Sequence, residues 1–483
     1  MKNPRLVNLC FRYVLHERLT DFGHGRTAGT LLMLTMSVLT FQAKAQVLNL
    51  NQVVDQSVRQ YPFLKAKQAE VSSAERRVQA SQTDLLPTLI VQDQYTYATS
   101  NSLNGSFFPN EGTNISTSGG VRATNVSQAS FGSFTSASIE WRAITFGRIK
   151  ANIGVAKADL QRSQVDYENE IFQHQVRTID SYLLLLINQK LVQIQRSNLD
   201  RAQTFKRVVD AGVRSGMRAG VDSSLATAEA VRARLLLLGS QQQEQVQRLR
   251  LSELAGQVQA SMPVDSMSFY TTLPNGNFLS DSISPKNPTL RLFQSQINLS
   301  AARSLSTQRS GMPTISLVGV GNARGSGFSN QGDIFQANQL NGLGYQVANY
   351  LVGVVARWNL TNLIRTNRDY HADQFLVERS RQLFNTQRLQ ISRQYQEAET
   401  QYQVALEQAR QAPVQLQAAR QAYNQAKSRY ESGLTDLPTL LQSVLTLNRA
   451  EVDGYVSVSN VWRFLLLKAA AEGDLSLFMN QVK

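Results

Sequence analysis

Cysteine is almost absent from this sequence, whose 483 residues contain only Cys10. With one cysteine near the amino end, the rest of the chain can form neither a disulfide nor a thiolate metal site. Histidine is also scarce. After residue 45 only His174 and His371 occur, and neither has a second ligand three or four residues away. Metal sites need such clusters of ligands, so we expect no metal site and interpret both histidines as solvated or packing residues.

The motifs of common catalytic and nucleotide-binding sites are missing as well. The sequence contains no G-x-S-x-G nucleophile motif and no P-loop. Two glycine pairs, Gly319-Val-Gly321 and Gly325-Ser-Gly327, lie where strand and loop are expected, without the following helix that would bind a phosphate. The sequence therefore predicts neither an enzyme nor a bound cofactor.

Long apolar runs are confined to the amino terminus. A basic segment precedes an apolar run from Thr30 to Phe41 and the small-residue site Ala43-Lys44-Ala45. This order is typical of a secretory signal, so residues 1–45 are predicted to be a signal peptide, with an uncleaved anchor as the alternative. Beyond it the longest apolar cluster, Tyr182 to Ile187, is too short for a transmembrane helix.

Positive charge predominates but is not clustered. The net charge of +14 falls to +10 without residues 1–45, and this surplus is spread along Gln-rich helices. Nucleic-acid binding favours a basic patch with interleaved aromatic residues, so we expect no nucleic-acid partner.

Glycine is absent between Arg365 and Tyr430, and the only proline there is Pro413. Apolar or small residues recur in alternating steps of four and three, a 3.5-residue repeat that keeps one helix stripe against a partner helix. A single helix over this segment would be about 100 Å long at about 1.5 Å per residue, and Pro413 is expected to bend it. The stripe consists of Ile391, Tyr395, Ala398, Tyr402, Ala405, Ala409, Ala412, Leu416, Ala419, Tyr423, Ala426 and Tyr430.

The chain contains the same plan twice. A shift of 226 residues places Pro62 on Pro288, and a shift of 217 residues places Trp141 on Trp358. Further matches are Pro87 with Pro313, Arg148 with Arg365, and Ser215-Gly216 with Ser432-Gly433. The predicted divisions are a first copy over 46–255, a joining segment over 256–286, a second copy over 287–475 and a tail over 476–483.

Each copy is predicted to contain a helix, a strand, a loop, a second strand, a very long helix, a short turn and a returning helix. In the first copy these are a helix over 61–86, strands over 87–98 and 131–141, a long helix over 147–214 and a returning helix over 221–255. In the second copy they are a helix over 287–310, strands over 313–322 and 349–358, a long helix over 364–431 and a returning helix over 437–471. The polar loops over 100–130 and 322–347 have no helical or strand period.

The predicted strands alternate apolar and polar residues over about ten positions and end in aromatic residues, as outer-membrane strands do. Leu89 and Val91 share a face that Asp93 interrupts. A soluble half-buried hairpin would give the same pattern, but two hairpins at matching places in a repeat favour the membrane interpretation. The aromatic residues expected at the membrane interfaces are Tyr95, Tyr97, Trp141, Tyr350 and Trp358.

Short turns follow the two long helices. Gly216 and Gly433 suit a left-handed helix C-cap. Asp222 and Asp436 are candidate N-caps or early acidic residues of the returning helices.

The duplicated order of helix, hairpin, very long helix, Ser-Gly turn and returning helix resembles the TolC-like outer-membrane efflux proteins. The residues that carry the resemblance are Trp141-Arg-Ala-Ile-Thr-Phe-Gly-Arg148, its echo Trp358-Asn-Leu-Thr-Asn-Leu-Ile-Arg365, and the two Ser-Gly turns. The resemblance covers about Leu48 to Leu475.

This resemblance implies a mainly α-helical fold with membrane β-strands. Four strands from each subunit of a homotrimer would close a 12-stranded β-barrel, continued across the periplasm by a long α-helical barrel. The implied function is a passive exit duct in the outer membrane, part of a tripartite efflux or type I secretion system. The implied partners are outer-membrane lipid, a periplasmic adaptor whose docking opens the duct, and an inner-membrane pump.

In the family the turns form a closed end held by polar contacts, and Asp222 and Tyr430 fall on matching positions. We hypothesise that a phenol–carboxylate contact between them forms a periplasmic gate; an N-cap role for Asp222 and a heptad core role for Tyr430 are equal alternatives. Thr435 stands where an arginine is expected, and Thr439 and Gln442 stand where acidic residues could line the aperture. The residues expected to contact the adaptor are Arg214, Ser215, Gly216, Met217, Ser432, Gly433 and Leu434.

A secreted or surface coiled-coil structural protein or adhesin, without channel activity, is the rival interpretation. It accounts for the heptads and for export. It does not account for strand pairs at the same place in both copies, or for the tryptophans that end them. A general porin would lack the long helices.

Overall fold

The computed structural model describes residues 49–99, 101, 123–257, 269–270, 272–274, 284–331, 334–337 and 340–482. The predicted signal peptide, most of the predicted joining segment and the greater part of the first polar loop lie outside these residues. Among the described helices, none combines the length and hydropathy that crossing a membrane requires.

Both repeats fold as helix, hairpin, long helix and returning helix. The first contains α1 (Leu50–Gln60), α2 (Pro62–Gln82), β1 (Thr88–Thr99), β2 (Ala129–Ile144), α3 (Arg148–Arg214) and α4 (Gly220–Leu254). The second contains α5 (Pro288–Ser310), β3 (Thr314–Ser326), β4 (Phe328–Gln331), β5 (Ile334–Ala337), β6 (Val347–Arg357), α6 (Thr361–Glu431) and α7 (Leu437–Glu472), followed by α8 (Ser476–Met479). The long helices α3 and α6 have 67 and 71 residues, and α6 remains helical through Pro413.

The separate helix α1 was not expected from the sequence. The Asn49 side chain accepts a hydrogen bond from the Gln52 N–H at 2.9 Å, and the Gln52 side chain accepts one from the Asn49 N–H at 3.1 Å. This reciprocal capping box starts the helix. The helix ends at Tyr61, whose ψ is 120°, because Pro62 disfavours helical geometry at the residue before it. Pro62 then occupies the first position of α2, where no N–H is needed.

A four-stranded antiparallel sheet joins the two repeats, with the strand order β1-β2-β3-β6. The hairpin of each repeat is adjacent in sequence, and the β2–β3 pairing connects the hairpins. Ile139 lies opposite Leu89 on one side and opposite Gly319 on the other, and Gly319 lies opposite Val352. Directly opposed residues have their side chains on the same face of the sheet. The register therefore assigns each residue of the four strands to one of two faces.

The two faces of this sheet differ in polarity. One face exposes large apolar residues, including Leu89 at 67%, Val91 at 69% and Val352 at 83%. The other carries polar rows such as Gln92, Ser136, Asn322 and Asn349. Asp93 interrupts the apolar face, as the sequence indicated, and is hydrogen-bonded there. The Tyr345 hydroxyl donates to Asp93 Oδ1 at 3.0 Å, and the Thr135 hydroxyl also donates to it.

The second polar loop contains strands that the sequence did not predict. β3 continues to Ser326, beyond the predicted end at residue 322, because Ser326 and Gly325 pair with Gly132 and Ser133 of β2. β4 and β5 pair with each other in the same loop. The expectation of a loop without strands over 322–347 is therefore wrong. Small residues such as glycine and serine produce little hydrophobic alternation, so sequence periodicity does not reveal strands that backbone pairing defines.

The main hydrophobic core lies where α1, the middle of α3 and α6, and the later part of α7 meet. Its members are at most 8% exposed, and α3 and α6 extend beyond it in both directions. The largest buried side chains at this level include Leu50, Ile179, Tyr182, Leu185, Leu186, Tyr402, Trp462, Leu465, Leu466 and Phe478.

A buried charged cluster lies beside this core, between α6 and α7. Lys468 is 5% exposed, and its Nζ lies 2.6 Å from Glu399 Oε2. Glu472, one turn further along α7, is 2% exposed. Burial raises the pKa of Glu472 above its usual 4.5, although the charge of Lys468 opposes this shift. The net effect is that ionisation of Glu472 is disfavoured in the folded protein.

Replacement of Glu472 by glutamine should therefore stabilise the protein at neutral pH. A group whose pKa is raised on folding contributes stability below its unfolded pKa and loses it as the pH rises through the folded pKa. We expect Glu472→Gln to raise the thermal unfolding midpoint at pH 7, and we expect this difference to vanish below the unfolded pKa of 4.5. The exposed Glu431 provides a control. Glu431→Gln should leave the thermal unfolding midpoint unchanged both at pH 7 and below pH 4.5. A less stable Glu472→Gln variant at pH 7 would contradict this account.

Candidate functional site

The long helices α3 and α6 end in turns of the same geometry. Gly216 has φ 75° and Gly433 has φ 73°, a left-handed conformation that glycine adopts without a steric penalty. The Met217 N–H donates to the Gly212 carbonyl at 3.0 Å, and the Leu434 N–H donates to the Arg429 carbonyl at 2.8 Å. Each bond closes a segment of six residues, which is the hydrogen bond of the Schellman C-cap. This motif needs a left-handed residue just after the helix, and the glycine of each Ser-Gly pair provides it.

The two turns lie at the same end of the molecule. Val209 of α3, Ala226 of α4, Tyr430 of α6 and Leu437 of α7 form one buried apolar cluster beside them. These residues come from all four helices that enter or leave the turns. Both turns are therefore supported by the same buried cluster.

All seven residues predicted for adaptor docking are solvent-exposed in these turns. Met217 is 79% exposed and Leu434 is 68% exposed. Two large apolar side chains therefore project from the tip of the molecule, each from a rigid capped turn. Exposed apolar side chains grouped at one place are typical of a surface that binds another protein.

Tyr430 is a buried member of this cluster, with only 2% of its surface exposed. Its ring lies between two side chains from the first repeat. The Phe205 ring is 5.4 Å away between centroids, and the guanidinium carbon of Arg218 lies 3.9 Å from the Tyr430 ring centroid. The Tyr430 hydroxyl is buried and has no hydrogen-bond partner among the described residues.

Asp222 lies in the first turn of α4 and is half-buried. Ala219, not Asp222, is the N-cap residue of α4, whereas Asp436 does cap α7 by accepting a hydrogen bond from the Thr439 N–H at 3.2 Å. Within the described part of the chain no hydrogen bond joins Asp222 to Tyr430. Burial raises the pKa of Tyr430, the charge of Arg218 lowers it, and the charge of Asp222 raises it.

Arg218 was not identified from the sequence. Its Nη2 donates to the Tyr430 carbonyl oxygen at 3.3 Å, and its side chain packs against Gly212. The internal repeat offered a signal, since the shift of 217 residues places Arg218 on Thr435. The arginine that seemed to be missing from the second turn is thus present at the matching position of the first turn.

The five aromatic residues predicted for membrane interfaces are all exposed. They fall in two groups along the sheet. Tyr95, Tyr97 and Tyr350 lie toward the loops, whereas Trp141 and Trp358 lie where the strands meet the helices. Each tryptophan donates a hydrogen bond from Nε1 to a backbone carbonyl at the end of the preceding helical segment. Trp141 donates to the Leu85 carbonyl at 3.1 Å, and Trp358 donates to the Gly311 carbonyl at 3.2 Å. These bonds fix the indole rings at the helix-to-sheet junction.

The two histidines lie apart from the turns. His174 is fully buried, stacks on the Tyr61 ring at 4.1 Å and contacts the Leu254 carbonyl through Nε2 at 3.1 Å. Burial lowers its pKa, so it packs as a neutral ring. His371 is exposed. The described residues contain no group of three metal-binding side chains.

Residues 53–257, most of the first repeat, match the family described as outer membrane efflux protein. This is a family of channel proteins and not of enzymes. No curated protein matches the chain in sequence.

Several solved outer-membrane channels share its fold. The outer-membrane channel OprN is 18% identical, with a TM-score of 0.68 over 88% of this chain and 89% of that one. The CmeC outer membrane channel of Campylobacter jejuni is 15% identical, with a TM-score of 0.71 over 88% and 85% of the two chains. VceC, an outer membrane protein of Vibrio cholerae, is 15% identical, with a TM-score of 0.69 over 88% and 96%.

The sequence match covers the first repeat, and the structural matches cover both. The resemblance to the TolC-like outer-membrane efflux protein family that the sequence motifs indicated is therefore confirmed.

Proposed function

We propose that this protein is the outer-membrane exit duct of a tripartite efflux or type I secretion system. The observation that carries the proposal is the division of the molecule along its length. A sheet with an apolar exposed face lies at one end, helices about 100 Å long at about 1.5 Å per residue follow, and two capped turns form the other end. Such a body can place the sheet in the outer membrane while its helices extend into the periplasm.

The edges of the sheet support a trimer. β1 and β6 are the two edge strands of the four-stranded sheet, and edge strands carry unpaired backbone groups that must be satisfied in lipid. Because the number of strands per chain is even, β6 of one copy can pair with β1 of the next while the antiparallel order is kept. Three copies would then close the 12-stranded barrel that the family resemblance implies.

The helices support the same assembly. Several large apolar side chains of the rods are open to solvent in the single chain, among them Leu235 at 63%, Phe375 at 77% and Leu389 at 70%. Exposed apolar surface of this extent on a rod favours contact with another protein surface. In the proposed trimer, neighbouring copies cover these side chains, and the helices form the wall of a periplasmic tunnel.

The turn end is the proposed site of gating. An adaptor docks on the exposed turn residues and lets the returning helices move relative to the long ones, so that the lumen opens. Asp222 and Tyr430 are the proposed gate residues, since both lie at this end. The energy for export comes from the inner-membrane pump, because the sequence contains no P-loop.

The membrane assembly is directly testable. We expect the protein to remain in outer membranes washed with high salt, to leave them only with detergent, and then to have three times the mass of its mature chain. Added to a planar lipid bilayer, it should give discrete single-channel currents. Release by salt alone as a single chain would favour the coiled-coil structural protein instead.

Docking at the turns is testable with a charge placed on the exposed apolar tips. The double variant Met217→Asp/Leu434→Asp puts two carboxylates where an apolar contact is proposed, and desolvating them opposes binding. After amine cross-linking in native membranes, the wild-type protein should migrate as a complex larger than its trimer, and the double variant only as the trimer.

The matched control is Leu340→Asp, which places one carboxylate on a residue that is 74% exposed in the loop at the opposite end. It should give the larger complex. Loss of the larger complex in the control, or its retention in the double variant, would place adaptor contact away from the turns.

A further inference from the structure

Basic side chains are concentrated where the sheet meets the long helices. α3 begins with an arginine at its first position and a lysine at its third, and α6 carries two arginines within its first eight residues. A fifth cation comes from the end of α5 and lies beside the start of α3, since a Cβ atom added at Gly147 would lie 3.9 Å from Arg309 Cδ. We call this set the junction belt. It consists of Arg148, Lys150, Arg309, Arg365 and Arg368.

The junction belt has little compensating negative charge. Among the described residues Arg365 is its only member in an ion pair, with 3.6 Å between Arg365 Nε and Asp369 Oδ2. The Arg365 side chain is 80% exposed, and exposed pairs of this kind are weak. Neither α3 nor α6 has an acidic residue in its first turn, although the helix dipole favours acidic residues there. The belt is therefore a positive surface that favours an anion from outside the chain.

Exposed apolar side chains lie next to the belt. Trp141 and Trp358 are exposed at the helix end of the apolar sheet face, and Ile364 in the first turns of α6 is 67% exposed. Ile364 and Arg368 are four residues apart and so lie on the same face of α6. Arg368 is about 6 Å further from the sheet, at about 1.5 Å per residue. This helix face therefore changes from apolar to basic within about one turn.

The same arrangement occurs in both repeats. Trp141 precedes Arg148 by seven residues, and Trp358 precedes Arg365 by seven residues. Each indole is fixed by its hydrogen bond to the end of the preceding helical segment. Because tryptophan favours the boundary between lipid and water, this spacing places both arginines on the water side of that boundary.

The apolar face of the sheet has no such positive charge. Along the described strands, between the tryptophans and the loops, the only charged side chain on this face is Asp93. Its carboxylate accepts a hydrogen bond from the Tyr345 hydroxyl at 3.0 Å. Positive charge thus begins where the apolar face ends, on the side of the helices.

We propose that the junction belt binds the headgroups of anionic phospholipids in the periplasmic leaflet of the outer membrane. The proposal rests on the membrane placement of the sheet given under the proposed function. Guanidinium and ammonium groups form charge-assisted hydrogen bonds with phosphate oxygens, and basic residues beside a membrane-embedded segment attract anionic lipids. The apolar side chains beside the belt contact the acyl chains. The bound lipids fix the depth at which the sheet lies in the membrane.

The test measures the lipid preference of the purified protein. The protein is freed of lipid in a neutral detergent and mixed with equal amounts of dioleoyl phosphatidylglycerol and dioleoyl phosphatidylcholine. Native mass spectrometry then counts the lipids that stay bound. The two lipids have the same acyl chains, so their ratio reports on the headgroup. We expect about a thirtyfold preference for phosphatidylglycerol, the factor that corresponds to two basic residues per headgroup, and we expect it to fall as the salt concentration rises.

Matched variants assign this preference to the belt. Lys150→Gln/Arg368→Gln removes one exposed cation from each repeat and should lower the preference about fivefold. Lys150→Arg/Arg368→Lys keeps both charges and should bind as wild type. Arg410→Gln/Arg449→Gln removes the same charge from side chains that are 66% and 84% exposed on α6 and α7, away from the sheet. This control should keep the wild-type preference.

Four results would overturn the proposal. Equal binding of the two lipids by a protein that still gives channel currents would remove the belt and leave the channel function in place. An equal loss of preference in the control would assign the effect to overall charge. Displacement of phosphatidylglycerol by inorganic phosphate would assign the belt to a soluble anion. Loss of the larger cross-linked complex in Lys150→Gln/Arg368→Gln, with an unchanged lipid preference, would assign it to a protein partner.

Failure of the proposed function has a separate signature. If salt alone releases the protein from washed membranes as a single chain, the channel function fails and the lipid site fails with it.

Discussion

The structure depends on the packing of very long helices along a narrow stripe of small residues. A helix of this length is not stabilised by local propensity alone, and most helical stability in proteins comes from tertiary packing. Every residue of the 3.5-residue stripe in α6 is buried or half-buried, and its most buried positions are mainly alanines such as Ala398, Ala405 and Ala409. Small side chains allow α7 to lie close to α6. This packing fixes the distance between the sheet and the turns.

The internal duplication gives both halves of the chain the same backbone. The candidate site contains residues that differ between the two copies. Both turns share the glycine C-cap and an exposed apolar residue, Met217 in the first and Leu434 in the second. Their surroundings differ, because only the first turn supplies Arg218 and only the second long helix supplies Tyr430. The backbone repeats, while the Arg218–Tyr430 contact joins unlike residues of the two copies.

Much of this fold could be predicted from the sequence, because α6 has a regular period and the strands alternate over ten positions. The stripe of α6 was confirmed residue by residue, and so was the left-handed glycine in each turn. β4 and β5 have no such signal, because backbone pairing and not side-chain pattern defines them. Arg218 was missed for another reason. Its partner lies 212 residues away, and no local pattern in either segment identifies the contact.

Substituted-cysteine labelling tests the central claim, that one end of the rod lies outside the cell and the other in the periplasm. Cys10 is the only cysteine of the chain and lies in the predicted signal peptide, so a single introduced thiol can be followed. A membrane-impermeant maleimide should label Leu340→Cys on intact cells and Met217→Cys only after the outer membrane is permeabilised. Labelling of Met217→Cys on intact cells would contradict the account.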